Sequence, residues 1–151
     1  MRHAQVSRIT SETNIELKLE DEGKGEFSLQ TGIGFFDHML NTLARFSLFN
    51  LSGNLSGDLH VDQHHTVEDL GIVFGECLKK ALGDKRGINR NGFCIYPMDE
   101  SLVMISLDIC NRGYLVFDFD FHQEKTGSFE NRLIKDFFQS YSFSVHAIQL
   151  P

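Results

Sequence analysis

Two adjacent histidines followed three residues later by a glutamate, His64-His65-Thr66-Val67-Glu68, carry the strongest chemical signal in the chain. Imidazole nitrogen together with carboxylate oxygen suits a divalent transition ion such as manganese, iron or zinc. On a helix, His64 and Glu68 stand four residues apart on one face and His65 points about 100° away, so the segment can address two different ions. A second possibility stays open. Thr66 with Asp69 three residues on resembles a capping box, which would start the helix later and leave both histidines ahead of it.

The other reactive side chains are less pointed. His38 lies off the apolar stripe of its segment, beside Asn41, Thr42 and Arg45, where a metal ligand and a plain surface histidine are equally consistent with the pattern. His3, His60, His122 and His146 have no such setting; His60 shares its face with Asp58 and Asp62, which reads as polar surface. Lys79, Lys80, Lys85, Arg86 and Arg90 form a basic cluster in an acidic chain and can hold a phosphate or carboxylate. The carboxyl end of a helix accounts for Lys79 and Lys80 but not for Arg90. Glu12 draws no attention from pattern alone, and Cys77 falls on an apolar helix stripe. Glycine-rich phosphate loops, nucleophile elbows and paired-thiol motifs do not occur.

Hydrophobic periodicity predicts the elements that must position these residues. Ile15, Leu17 and Leu19 alternate as a strand, Asp21 to Gly25 is a turn, and Phe27 with Leu29 continues the alternation, so residues 14–31 read as a hairpin. Phe36, Met39, Leu40, Leu43 and Phe46 recur at helical spacing. Leu55, Leu59 and Val61 restore a strand. Val67, Leu70, Phe74, Cys77, Leu78 and Ala81 stripe a second helix that Gly83 stops. After a loop over 83–91, residues 103–109 and 115–121 alternate as two strands, and Leu133, Phe137 and Tyr141, widened by Ile134 and Phe138, mark a third helix. The first half reads ββαβα and the second ββα. Asp37 to Leu40 matches Lys135 to Phe138 at an offset of 98, and each match follows a Thr-Gly pair.

The 151 residues, 41% hydrophobic and 23% charged, suffice for one folded domain. A net charge of -7 excludes a general affinity for nucleic acid or anionic membrane. Apolar runs are short and the first twelve residues are polar, so neither a membrane span nor a secretion signal is expected. Three cysteines at spacings matching no zinc pattern point to reduced thiols and a cytoplasmic protein.

Several long motifs then coincide. Glu12-Thr13, TGIGFFDHML from Thr31, GDLHVDQHHTVEDLG from Gly57, ALGDKRGINR from Ala81, PMDESL from Pro97, and Arg112 with Tyr114-Leu115 resemble imidazoleglycerol-phosphate dehydratase of histidine biosynthesis, in register from about Arg8 to Ser140. The resemblance implies an α+β fold, a duplicated ββαβα unit related to a ribosomal-protein domain, with helices packed between two sheets. It implies a lyase that dehydrates D-erythro-imidazole-glycerol phosphate to imidazole-acetol phosphate, and a homo-oligomer with dimanganese sites between subunits. It further implies that His38, His64, His65 and Glu68 ligate metal and contact substrate, that Glu12 contacts substrate as a candidate acid/base beside Glu68, and that Arg90 and Arg112 bind the phosphate end. Metal chemistry answers the physical difficulty: the carbon proton is alpha to no carbonyl, and stabilising a deprotonated imidazole ring lets its electrons expel the hydroxyl first.

The departures carry expectations of their own. Where the family commonly has histidine on the third helix, this chain has Asp136, a carboxylate that can still bind manganese. The offset of 98 places a second His-His-x-x-Glu at 162, 163 and 166, beyond Pro151. One domain over 1–151 is therefore expected, with repeat one at about 8–83 and an incomplete repeat two at about 93–151 lacking its last strand and helix. His146 falls at a non-ligand position. Two alternatives follow: a non-catalytic metal-binding relic or interaction module of the same family, and a kinase-like or ribosomal-protein-like domain, the latter without an ATP loop or basic surface to support it.

Overall fold

Alternation of apolar and polar side chains builds an antiparallel hairpin from β1 (His3–Ile9) and β2 (Thr13–Glu20). The computed structural model describes residues 2–145 and 148–150. Ile15, Leu17 and Leu19 turn inward from β2, each almost fully buried, and each stabilises the fold by about 1.5–3 kcal/mol. The partner of β2 in the hairpin is not the one expected. The two-residue strand β3 (Phe27–Ser28) pairs in parallel with β4 (Asn50–Gly57), while β2 lies between β1 and β4, giving the order β1-β2-β4-β3. Strand β1 escaped prediction because it is an edge strand with Val6 as its one buried side chain.

Helix α1 (Gly34–Ser47) buries Phe36, Leu40 and Ala44, so the expected stripe divides. Met39, Leu43 and Phe46 face outward instead. Leu59 and Val61, expected in a strand, are exposed in a turn closed by the Val61 amide on the Asp58 carbonyl. Helix α2 (His64–Leu82) buries the whole predicted stripe from Val67 to Ala81 and ends at Gly83, whose φ of 56° suits glycine and whose amide donates to the Lys79 carbonyl.

The second half repeats this plan. Strands β5 (Asn91–Met98) and β6 (Ser101–Asp108) form a hairpin, and β7 (Tyr114–Leu115) is short. After the small hairpin of β8 (Lys125–Thr126) and β9 (Phe129–Glu130) comes α3 (Leu133–Val145), then β10 (Ile148–Leu150). The order β5-β6-β10-β7 reproduces β1-β2-β4-β3. Registers agree residue by residue: Glu20 faces Asn50 as Asp108 faces Ile148, and Phe27 faces Leu51 as Leu115 faces Gln149. The offset is thus 108 minus 20, or 88, before the helix, and 148 minus 50, or 98, after it.

Three sequence expectations change here. The last strand of repeat two is present as β10. The predicted strand over 115–121 shrinks to Tyr114–Leu115, since residues 116–121 pair with no strand among the described residues. Strand β5 was hidden in the sequence because Pro97 and the near-continuous run from Phe93 to Tyr96 break the two-residue period. The main core lies between the first sheet and the helices, with Phe129 and Leu133 of the second half contributing to it. Strands β5 and β6 stand largely exposed, Phe93 at 83%.

Candidate active site

The first turn of α2 presents the histidine pair. The Asp62 carboxylate accepts the His64 amide at 2.8 Å and the helix begins at His64, so the later start that Thr66 could have capped does not occur. Thr66 is buried, facing Gly57. Being helical, the segment stacks Glu68 over His64, with Oε2 3.5 Å from Nε2. On its other side, Nδ1 of His64 lies 3.3 Å from Oδ2 of Asp136 on α3. That approach depends on two glycines: a Cβ at Gly71 would meet the Phe137 carbonyl oxygen at 2.7 Å, and one at Gly75 the Tyr141 carbonyl oxygen at 2.6 Å.

His65 points elsewhere, as helical geometry requires. Its Nδ1 sits 3.0 Å from Oδ2 of Asp58, and this hydrogen bond is the main reason its pKa is raised. A carboxylate on Nδ1 leaves Nε2 as the nitrogen available to an ion. Glu12, in the loop between β1 and β2, lies near enough for its charge to act on His65. The Ser11 hydroxyl donates to Glu12 Oε1 at 2.6 Å and is the largest influence lowering the Glu12 pKa, with His65 adding to it. Glu12 is therefore a carboxylate at neutral pH, able to accept a proton.

Whether these donors suit a metal can be judged from the geometry. Nδ1 of His64 is buried and has no hydrogen-bond partner. Two ligands each about 2.1 Å from one ion and at right angles to each other stand about 3 Å apart, close to the His64–Asp136 separation. The donor set fits a divalent cation. Among the described residues, however, no group of three or more His, Cys, Asp or Glu side chains converges as a complete site. Beside Glu68 and Asp136 a groove of about 420 Å³ continues between α2 and α3, past Ile72, Ser140 and Phe143.

The fold and this constellation agree with what comparison with known proteins finds. A model of the imidazoleglycerol-phosphate dehydratase family matches residues 31–148. The chain belongs to the imidazoleglycerol-phosphate dehydratase family. It is 51% identical over 145 residues to the dehydratase of Streptococcus sanguinis, covering 96% of this chain and 75% of that relative. It is 49% identical over 143 residues to that of Clostridium acetobutylicum, covering 95% and 73%. The crystal structure of the dehydratase from Staphylococcus aureus superposes with a TM-score of 0.84 at 30% identity, covering 97% of this chain and 81% of that one.

The remaining residues expected in a dehydratase site are dispersed. His38 lines a separate groove with Asp37, Asn41 and Asn54, away from the histidine pair. Arg90 is engaged by Asp108, with Nε and Nη2 donating to the two carboxylate oxygens at 2.6 and 2.9 Å. Arg112 acts on the same carboxylate, so the two arginines share one end of the second sheet. Cys77 is core: its thiol donates to the Leu17 carbonyl at 3.3 Å, and burial raises its pKa to about 11. His146 lies outside the described residues. Asp58 and Asp62, read from the sequence as polar surface, and Asp69, read as part of a capping box, instead meet the His65 ring, the His64 amide and the Thr13 hydroxyl. Their signal was available in carboxylates placed two to six residues from the histidine pair on either side.

Proposed function

We propose that this chain dehydrates D-erythro-imidazole-glycerol phosphate to imidazole-acetol phosphate, using divalent manganese held by His64, His65, Glu68 and Asp136 of one copy and His38 of another. Its family consists of hydro-lyases of histidine biosynthesis, which favours this reading over a metal-binding relic. The supporting observation is the cluster at the start of α2, where an unpartnered buried imidazole nitrogen faces a carboxylate from another helix. The exposed apolar β5–β6 hairpin supports assembly of several copies.

A bound divalent ion supplies Lewis-acid stabilisation of negative charge on the substrate's imidazole. Glu12, ionised and beside His65, accepts the proton that leaves carbon. Glu68 is the second candidate for proton transfer, at the hydroxyl. Arg90 and Arg112 hold the phosphate, Arg90 through the guanidinium hydrogens that Asp108 does not occupy. Loss of the carbon hydrogen and the hydroxyl as water leaves an enol, which becomes the ketone product. Free thiols at Cys77, Cys94 and Cys110 suit a reducing compartment such as the cytoplasm.

The test is turnover of imidazole-glycerol phosphate by protein loaded with manganese. Chelation should abolish product formation and manganese restore it, while Glu12→Gln and His65→Ala each lower kcat about 100-fold or more. Turnover at the parental rate in both variants overturns the assignment.

A further inference from the structure

Behind Glu12 lies a hydrogen-bonded chain whose members the reaction itself does not use. Asp69 is buried, 7% exposed, on the side of α2 that faces the first sheet. Its Oδ1 accepts from Arg8 Nε at 2.9 Å, and its Oδ2 accepts from the Thr13 hydroxyl. Thr10 completes the chain. Its Oγ1 accepts the amides of Glu12 at 3.1 Å and Thr13 at 2.9 Å and lies 3.2 Å from Thr13 Oγ1.

Proton accounting orders this network. A hydroxyl has one hydrogen and two lone pairs. Thr13 spends its hydrogen on Asp69, so the Thr10 hydrogen goes to Thr13 Oγ1 at 3.2 Å or to Asp69 Oδ2 at 3.5 Å, and either way it turns toward the Asp69 carboxylate. Both lone pairs of Thr10 are then directed to the amides of residues 12 and 13. The Asp69 carboxylate, fixed by Arg8, thereby sets the direction of both hydroxyls and the path of the backbone at Glu12. Asp69 directly follows Glu68, so the same helix turn that offers a metal ligand also anchors the loop that carries the base.

We propose that Thr10 and Asp69 are positioning residues that hold the Glu12 carboxylate in place relative to the histidine pair. The role rests on Glu12 acting as the proton acceptor, and it operates through Glu12 without contact with substrate. The consequence is energetic coupling: removing the clamp should matter only while Glu12 has its carboxylate.

The test combines Thr10→Val, Thr10→Ser and Glu12→Gln, with kinetics in manganese and amide hydrogen exchange. Thr10→Val keeps the shape and removes the hydroxyl; it should lower kcat about tenfold with KM within about twofold, and speed exchange at the amides of residues 12 and 13 by about tenfold. Thr10→Ser should restore both. In the Glu12→Gln background, Thr10→Val should cost nothing further. Equal losses in both backgrounds, or unchanged exchange and kcat in Thr10→Val, overturn the proposal. If Thr10→Val does not fold, Asp69→Asn takes its place with the same expectations. Should Glu12→Gln retain full turnover, the base assignment fails, while the exchange measurement still reports on the clamp.

Discussion

Asp58 grips Nδ1 of His65 while Asp136 stands 3.3 Å from Nδ1 of His64, so each member of the pair faces a carboxylate from a different part of the chain. Removing Asp58 frees the His65 ring to rotate, and Asp58→Ala should weaken manganese binding by about 10–100-fold in isothermal titration calorimetry. Binding equal to the parent would show that Asp58 does not orient the ligand. Arg90 and Asp108 offer a second test by proton chemistry. Arg90 holds the Asp108 pKa below the ordinary 3.8, so the pair stabilises the folded protein above pH about 4 and the contribution is lost as pH falls through the lowered value. An NMR titration should find Asp108 below 3.8, and Arg90→Gln should return it toward that value. At this level the sequence was informative where residue type and spacing sufficed, as at His64, His65 and Glu68. It was silent on the meeting of Asp69 with Thr10 across 59 residues, which follows from strand β1 lying against α2.

Helices α2 and α3 meet where Gly71 and Gly75 remove side chains, and this is what brings Asp136 to His64. Gly71→Ala would place a methyl 2.7 Å from the Phe137 carbonyl oxygen, with backbone rather than a pliant side chain in its path. The helices must separate. The expected cost is about 1–3 kcal/mol in denaturant unfolding, accompanied by weaker manganese binding as Asp136 withdraws; unchanged stability and affinity would show that the contact is not tight in solution. All three helices were visible as 3.6-residue periods, although in α1 only Phe36 and Leu40 of the expected stripe are buried. Strands were harder. Short β3 and β7 owe their existence to parallel pairing with β4 and β10, partners distant in sequence, and a two-residue strand has no period to detect. The turn at Leu59 and Val61 misled because alternation continued after the ladder had ended at Gly57.

The assembled chain presents an apolar surface on one flank, where Phe93, Ile95, Leu102 and Met104 share a face of the second sheet and are all more than half exposed. Copies associating through this flank would cover it. Sedimentation of the wild type should reveal a discrete assembly, and Phe93→Asp with Leu102→Asp should reduce it to smaller species while leaving circular dichroism unchanged; a wild-type monomer would refute association by this route. The duplication behind this architecture was discernible from a handful of matching helix residues, but its register, and the shift of offset from 88 to 98, required the pairing of strands. That shift reflects ten residues added between β7 and α3, the stretch holding β8 and β9. Phe129 in this insert is 1% exposed, its ring stacked 5.7 Å from Phe36 and tilted 5.5 Å from Phe35, and the Ser128 carbonyl accepts from Gln63 at 3.0 Å. A duplicated chain faces an ambiguity during folding, since either of two similar helices can settle against either of two similar sheets. The insert belongs to one repeat and packs on the other, a contact that distinguishes the two halves in the folded chain.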